Sequence, residues 1–263
     1  DPDVNHAEKC IENLDFMVVQ DIFLTETAQL ADVVLPTACF AEKDGTFSNT
    51  ERRVQRVRKA VDPPGEAWDD WKILCEIATR MGYPMAYDNS QQIMEEISKV
   101  TPSYAGISYE RIEHEGLHWP CPTAEHPGTP ILHGEQFTRG KGLFHAIDYI
   151  EPAEMIDAEY PLYLTTGRLL YHYHTGTMSM RTGGLNQIAP EAFVEISPQD
   201  ARKLEVEEGA LVNIDSRRGT IQARIKISRK AVDGTIFIPF HFATAAANRL
   251  TNAALDPISG IPE

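Results

Sequence analysis

Two short apolar runs open the chain. Leu14-Asp15-Phe16-Met17-Val18-Val19-Gln20 has strand length, and Asp32-Val33-Val34-Leu35-Pro36 is a second run ended by proline. Residues 22–31 leave room between them for a compact helical connection, so the pattern predicts a strand–helix–strand unit. Such units build parallel sheets, whose ligands gather beyond the carboxyl ends of the strands. Gln20, Asp21 and Thr25 stand at that end of the first strand, where Asp21 suits a turn cap as well as a ligand contact.

After Pro63-Pro64-Gly65, the spacing of Trp71, Leu74, Ala78 and Met81 predicts an amphipathic helix over 66–81. Asp69 and Asp70 fall in its first turn and Gly82 follows its last. A further helix is predicted over 91–100. Residues 101–142 are rich in Pro and Gly, lack periodicity, and are expected to wrap over the surface.

The pattern changes near Glu151-Pro152. Residues 160–166 and 192–196 read as strands. Ser197-Pro198-Gln199-Asp200 supplies a capping serine, a first-turn proline and an acid three residues on, which starts a short helix reaching about Leu204. Residues 209–216 and 220–228 flank Arg217-Arg218-Gly219. Ile221, Ala223, Ile225 and Ile227 alternate with polar residues, the period of a half-buried strand in a hairpin. Residues 234–240 add one more strand. The second half therefore predicts a small β-barrel, with a domain boundary near residue 155.

Length and charge narrow the picture. A chain of 263 residues is long enough for two domains, and its 42% hydrophobic and 24% charged residues are ordinary for a globular protein, with no apolar run of membrane-spanning length. The net charge of −15 disfavours nucleic acid and anionic membranes as partners, so an anionic ligand needs a local nest of Arg, Lys and backbone N–H groups. The first residues carry no signal-peptide pattern, and a cytoplasmic location is expected. Cys10, Cys39, Cys75 and Cys121 lie far apart with no C-x-x-C spacing; they read as reduced thiols, too scattered for an iron–sulfur cluster.

His114-Glu115-Gly116-Leu117-His118 matches H-E-x-x-H, a zinc-hydrolase pattern when it lies on a helix. Gly116 inside it and Trp119-Pro120-Cys121-Pro122 after it oppose that helix, so solvated loop histidines are the expectation.

Three ordered stretches carry a resemblance. Residues 18–28, from Val18-Val19-Gln20-Asp21-Ile22-Phe23-Leu24-Thr25 onward, then Ala31-Asp32-Val33-Val34-Leu35-Pro36 and residues 42–53, resemble the third domain of the molybdopterin oxidoreductase superfamily. Thr165-Thr166-Gly167-Arg168 with His172-Tyr173-His174-Thr175 resembles the entry to its carboxy-terminal barrel domain. Pro239-Phe240, Asn248-Arg249-Leu250-Thr251 and Asp256-Pro257-Ile258-Ser259 resemble that domain's end. Within the family, residues 20–28 are most similar to formate dehydrogenase catalytic subunits.

The resemblance implies an α/β Rossmann-like domain over 1–155, followed by a mostly-β, double-psi-type barrel domain over 156–263. It implies a carboxy-terminal portion that helps hold a molybdenum or tungsten bis(molybdopterin guanine dinucleotide) cofactor. Gln20, Asp21, Thr25, Lys43 and Asp70 would contact a nucleotide portion, while Thr166, Gly167, Arg168, Leu169, His172, His174, Thr175, Phe240 and Asn248 would line the cleft of the barrel domain. The residue types agree: a carboxylate accepts from the N1–H and N2–H₂ edge of guanine, and Lys or Arg faces a pyrophosphate. Competing readings stay open, with Asp70 as a helix-terminal charge, Lys43 and Arg168 as surface residues, and Phe240 as barrel core.

No catalytic or metal-ligating residue is expected in this chain. The resemblance implies that the metal ligand and a [4Fe-4S] cluster belong to an amino-terminal half of the same subunit, that electron-transfer subunits are partners, and that the portion alone is inactive. The implied reaction of the whole is oxidation of formate to CO2. Nitrate reductase chemistry, or a scaffold like the complex I subunit of this fold, are the alternatives.

Overall fold

The structure is a computed structural model and describes residues 2–261. The chain divides into two compact units: one comprises Val18–Leu24 and Val33–Ile147, the other the stretch up to Met17, Thr25–Asp32 and everything from Asp148. Helix α1 (Val4–Glu12) belongs to the second unit, where Glu8 pairs with Arg249 and the Asn5 amide donates to the Arg249 carbonyl at 3.0 Å.

In the first unit, β1 (Val18–Asp21) pairs in parallel with β2 (Val33–Pro36), Val18 opposite Val33 and Asp21 opposite Pro36. The parallel pair is as expected. The helical element between the two strands is only a 3₁₀ turn, Ala28–Leu30, because side chains compete for the backbone: Asp21 accepts from the Phe23 N–H at 3.1 Å, and Thr25 Oγ1 from that of Ala28 at 3.2 Å.

A hairpin of β3 (Gly45–Ser48) and β4 (Arg53–Val57) follows, turned at Arg52, whose φ of 68° is left-handed. Helix α2 (Asp70–Arg80) starts four residues later than its spacing predicts. Trp68 explains the delay: its N–H donates to Pro36 and its carbonyl accepts from Ala38 and the Thr37 hydroxyl, so its backbone extends the strand edge. Helix α3 (Ser90–Val100) is capped by Asn89, whose Oδ1 accepts from the Gln92 N–H.

The aperiodic stretch does not simply wrap the surface. Ile107, Ile112 and Cys121 are almost wholly buried with Val54 and Met94. The Arg111 guanidinium ties this stretch together by donating to the carbonyls of Gly106 and His126. His114 and Glu115 lie in a bend, and His118 closes the two-residue strand β5 (Leu117–His118) on β4, so the helix that H-E-x-x-H zinc binding requires is not formed. Gly116 is needed for close packing, since a Cβ there would sit 2.7 Å from the Val54 carbonyl oxygen.

The second unit is built on β6 (Tyr163–Gly167), α4 (Gly183–Ile188), β7 (Phe193–Ile196), α5 (Pro198–Lys203), β8 (Leu211–Ser216), β9 (Gly219–Ile227) and β10 (Thr235–Pro239). The strands form one mixed sheet in the order β6-β10-β7-β9-β8, in which β6 runs parallel to β10 and β7 to β9. In β9 the expected alternation is realised: Ile221, Ala223 and Ile225 are buried beside Ile196, Ile238, Phe242 and Leu250, while Gln222, Arg224 and Lys226 are exposed. Among the described residues, no helix is long and apolar enough to cross a membrane.

Ser197 caps α5 as the sequence predicts, accepting from the Asp200 N–H at 3.1 Å. The buried Asp200 carboxylate accepts from the Gly234 N–H at 2.6 Å, from Ser197 and from Lys203. The Gly234 bond first, then Lys203 and Ser197, hold its pKa below the usual carboxylate range against the opposing effect of burial. Replacing Asp200 with alanine strands the Gly234 N–H and is expected to cost about 2–3 kcal/mol in urea denaturation. The wild-type contribution is complete above the ordinary carboxylate pKa and is lost as pH falls through the lower folded value. Alanine at 200 should abolish that acid-limb loss, and an unchanged acid limb would contradict the assignment.

Candidate functional site

Each unit gathers polar residues beyond the carboxyl ends of parallel strands. In the first, Gln20 Nε2 donates to Asp70 Oδ1 at 2.8 Å, and the Lys43 ammonium pairs with Asp70 Oδ2. Gln20 comes from the end of β1, Lys43 from the approach to β3, and Asp70 from the first turn of α2, so three segments distant in sequence converge. Burial pushes the Asp70 carboxyl up, but hydrogen bonds from Lys43, Thr37 and Gln20 outweigh it and hold the pKa low, keeping the carboxylate ionised.

A cavity of about 450 Å³ adjoins this cluster, lined among others by Lys43, Trp68, Asp69, Trp71, Lys72 and Asn89. Asp21 is half-buried and commits one oxygen to the Phe23 N–H, with no bond to Asp70 among those the structure gives. Thr25 belongs to the other unit, where its hydroxyl is the acceptor for Ala28.

In the second unit, Thr166 and Gly167 end β6 opposite Ile238 and Pro239 of β10. Gly167 accepts from the Phe240 N–H at 3.1 Å and lies against the Phe237 ring, where a Cβ would approach Cε2 to 2.6 Å. Only glycine fits there without moving the ring. Arg168 sets its guanidinium over the Phe240 ring, 5.8 Å from the centroid, and is otherwise exposed.

Thr166, His174 and Thr175 are also exposed. His174 holds a left-handed φ of 49° with its ring edge-on to Tyr173, and Thr175 shares a hydroxyl hydrogen bond with Thr177. Leu169 and Phe240 pack against the core, and Asn248 sits half-buried in a 3₁₀ turn with its carbonyl facing the Thr251 hydroxyl.

His172 is buried and committed to protein partners. Nε2 lies 2.8 Å from the Ala189 carbonyl, which assigns the ring proton to that nitrogen, and Nδ1 faces the Ser179 hydroxyl at 3.3 Å. Ser179 in turn accepts from the Tyr173 N–H at 3.0 Å, so the network is closed. In this arrangement His172 stiffens the loop and has no free ring nitrogen.

The residue that sequence reasoning missed is His241. It follows β10, is 4% exposed, and neither ring nitrogen has a hydrogen-bond partner among the described residues. Rings of Phe242, His172 and Phe240 surround it at centroid distances of 4.3, 4.8 and 6.2 Å. Burial and then the neighbouring His172 lower its pKa to about 4, so it is neutral at physiological pH. The signal available in the sequence was a histidine between two phenylalanines at a strand's carboxyl end.

Comparison with known proteins adds an independent line. The profile described as "Molybdopterin oxidoreductase" matches residues 1–80, and that described as "Molydopterin dinucleotide binding domain" matches residues 162–263. The chain is 54% identical over 267 residues to the F420-dependent formate dehydrogenase subunit alpha of Methanocaldococcus jannaschii, covering all of this chain and 40% of that protein. It is 40% identical to the assimilatory nitrate reductase catalytic subunit of Bacillus subtilis, covering 99% of this chain and 38% of that one. Acetylene hydratase from Pelobacter acetylenicus shares the fold with a TM-score of 0.78 at 22% identity, over 99% of this chain and 40% of that chain. The chain thus spans about 40% of the length of the formate dehydrogenase subunit it matches. Two profiles in the order the motifs predict, and identity sustained from end to end, establish that the chain belongs to the molybdopterin oxidoreductase family.

Proposed function

We propose that this chain serves a formate dehydrogenase catalytic subunit by holding part of a molybdenum or tungsten bis(molybdopterin guanine dinucleotide) cofactor. The observation that carries the reading is the convergence of Gln20, Lys43 and Asp70, with Gln20 at the carboxyl end of a parallel strand pair and Lys43 also lining a cavity. The stronger identity to a formate dehydrogenase subunit than to a nitrate reductase favours formate over nitrate.

The residues present fit such a group. Lys43, held by Asp70, offers its remaining ammonium protons to a phosphate, and Arg168 presents a planar fork near the Phe240 ring. Asp21 and Asp70 supply acceptors for the guanine edge. Gly167 keeps the strand end bare of a side chain.

In the whole protein, the bound metal centre would take up the two electrons released when formate becomes CO2 and one proton. This chain's residues bind and orient; they neither ligate the metal nor move the proton. On this reading the finer architecture is a Rossmann-like fold for the first unit and a double-psi-type barrel for the second, with the expected boundary near 155 corrected to 147–148 and the stretches up to Met17 and Thr25–Asp32 assigned to the second unit. The metal ligand and a [4Fe-4S] cluster then belong to an amino-terminal half of the same cytoplasmic subunit, with electron-transfer subunits as partners.

The experiment is a metal and pterin assay of the full-length protein after denaturation, with formate-dependent reduction of a viologen dye. About one metal and two pterin dinucleotides per protein, with dye reduction by formate, is the expected result. Nitrate turnover without formate oxidation would move the assignment to nitrate reductase chemistry. A folded protein with neither metal nor pterin would replace the reading with a scaffold.

A further inference from the structure

We infer that residues 143–150 form a β-strand in the full-length protein, docked on an open sheet edge supplied by the part of the subunit outside this chain. The inference needs the family membership established above and is independent of cofactor and substrate.

The stretch Leu143-Phe144-His145-Ala146-Ile147-Asp148-Tyr149-Ile150 is bounded by Gly142 and Pro152 and contains neither residue type itself, the punctuation of a strand. Its large side chains are Leu, Phe, Ile and Tyr, which fit a pleated surface. Here it joins the two units and belongs to no regular element. Phe144, Ile147, Tyr149 and Ile150 are 99, 89, 83 and 84% exposed, so the described residues leave them bare. The backbone is equally uncommitted: among the described residues, no main-chain hydrogen bond involves 143–150. A run of large apolar groups left in water marks an interaction site, and free backbone groups beside it mark one of strand type.

The side-chain pattern then selects the occupant. In an extended chain, Phe144, Ala146 and Ile150 share one face, and Leu143, Ile147 and Tyr149 the other. Both faces are apolar, with Asp148 interrupting the first only near its end. A groove or a lipid surface would cover one face and leave the other in water. Edge-to-edge pairing with a second copy would give a two-stranded ribbon with both faces bare. The edge of a larger sheet, already layered above and below, meets the backbone and covers both faces at once. The subunit has room for such a sheet, because this chain spans only 40% of the formate dehydrogenase subunit of Methanocaldococcus jannaschii.

The test is hydrogen–deuterium exchange of the full-length wild-type protein, read on fragments covering 143–150 and compared with a free synthetic peptide of that sequence. Exchange slower than in the free peptide by about 100-fold or more, at every protein concentration, is the expected result. Ile147→Asp sets a charge on a covered face and should bring exchange back to within about tenfold of the free peptide. Lys141→Glu, outside the stretch, should leave the protection unchanged. The wild-type measurement decides the matter even where Ile147→Asp fails to fold.

Free-peptide exchange at 143–150 in the folded wild-type protein would overturn the inference. Protection lost on dilution would replace the rest of the subunit by a second copy, and protection gained only with phospholipid vesicles would replace it by a membrane surface. Wild-type protein without pterin but protected at 143–150 would end the function proposed above and sustain this inference, so the two failures are distinguishable.

Discussion

Replacing Asp70 with alanine in the full-length protein is expected to lower its bound pterin dinucleotide at least tenfold. Asp70 joins the cluster: Gln20 donates to one of its oxygens and Lys43 pairs with the other. Without it, a flexible lysine loses the contact that orders it, and one acceptor for the guanine edge disappears. One charge-assisted hydrogen bond contributes about 1.5–3 kcal/mol, which corresponds to roughly 10-fold to 150-fold in affinity.

The expected loss is one of binding more than of folding. The Asp70 side chain is 41% exposed, and ion pairs at such positions contribute at most about 1 kcal/mol to stability. Asparagine at 70 should fall between, since it can still accept from Gln20 but no longer offsets the Lys43 charge. The measurement is pterin released on denaturation per mole of protein. Full pterin content in the alanine variant, with the fold intact, would remove this cluster from the cofactor site.

How much could be read from the sequence depended on whether a local pattern determined the outcome. The β8–β9 hairpin, the Ser197 cap and the parallel pairing of β1 with β2 each have a nearest-neighbour cause, and each was legible. The start of α2 was not, because Trp68 gives its backbone to the edge of β2, a partner about thirty residues away. The apolar stripe on α2 was also misleading: Leu74 and Met81 are 56% and 81% exposed, and Ile73 is the residue that is buried.

Neither α1 nor the β3–β4 hairpin was expected, and the core role of Ile107, Ile112 and Cys121 was hidden. Those apolar residues follow no period and are held by Arg111 bonds to distant carbonyls. The site divides in the same way. Lys43 and Asp70 were named through the family resemblance, and the structure joins them in an ion pair. The closed network at His172 and the open valences at His241 depend on which atoms surround each ring, and two histidines look alike in a sequence.

That difference yields the second large effect, a pH dependence. The chain without cofactor is expected to lose up to about 3 kcal/mol of stability as pH falls from 6.5 to 4, and His241→Phe should lack that loss. In the unfolded chain His241 takes up a proton near its ordinary value of 6.5; in the folded chain it does so only near 4. Between those values the unfolded state binds more protons, so stability is complete above the upper value and declines as acid is added. A separation of about 2.5 pH units corresponds to about 3 kcal/mol. The titratable ring the structure sets against His241 is His172, while Arg168 lies over the Phe240 ring. The paired carboxylates, among them Asp70 and Asp200 with folded pKa values below their ordinary 3.8 and Glu154 and Glu195 below their ordinary 4.5, lose their own contributions as pH falls through the lower part of this range and beyond, so the His241 contribution is the difference between wild type and His241→Phe. Urea midpoints measured at half-unit intervals of pH would separate them. A slope between 6.5 and 4 that is undiminished in the phenylalanine variant would mean that other groups carry all of it, and that His241 takes up its proton without penalty in the folded state.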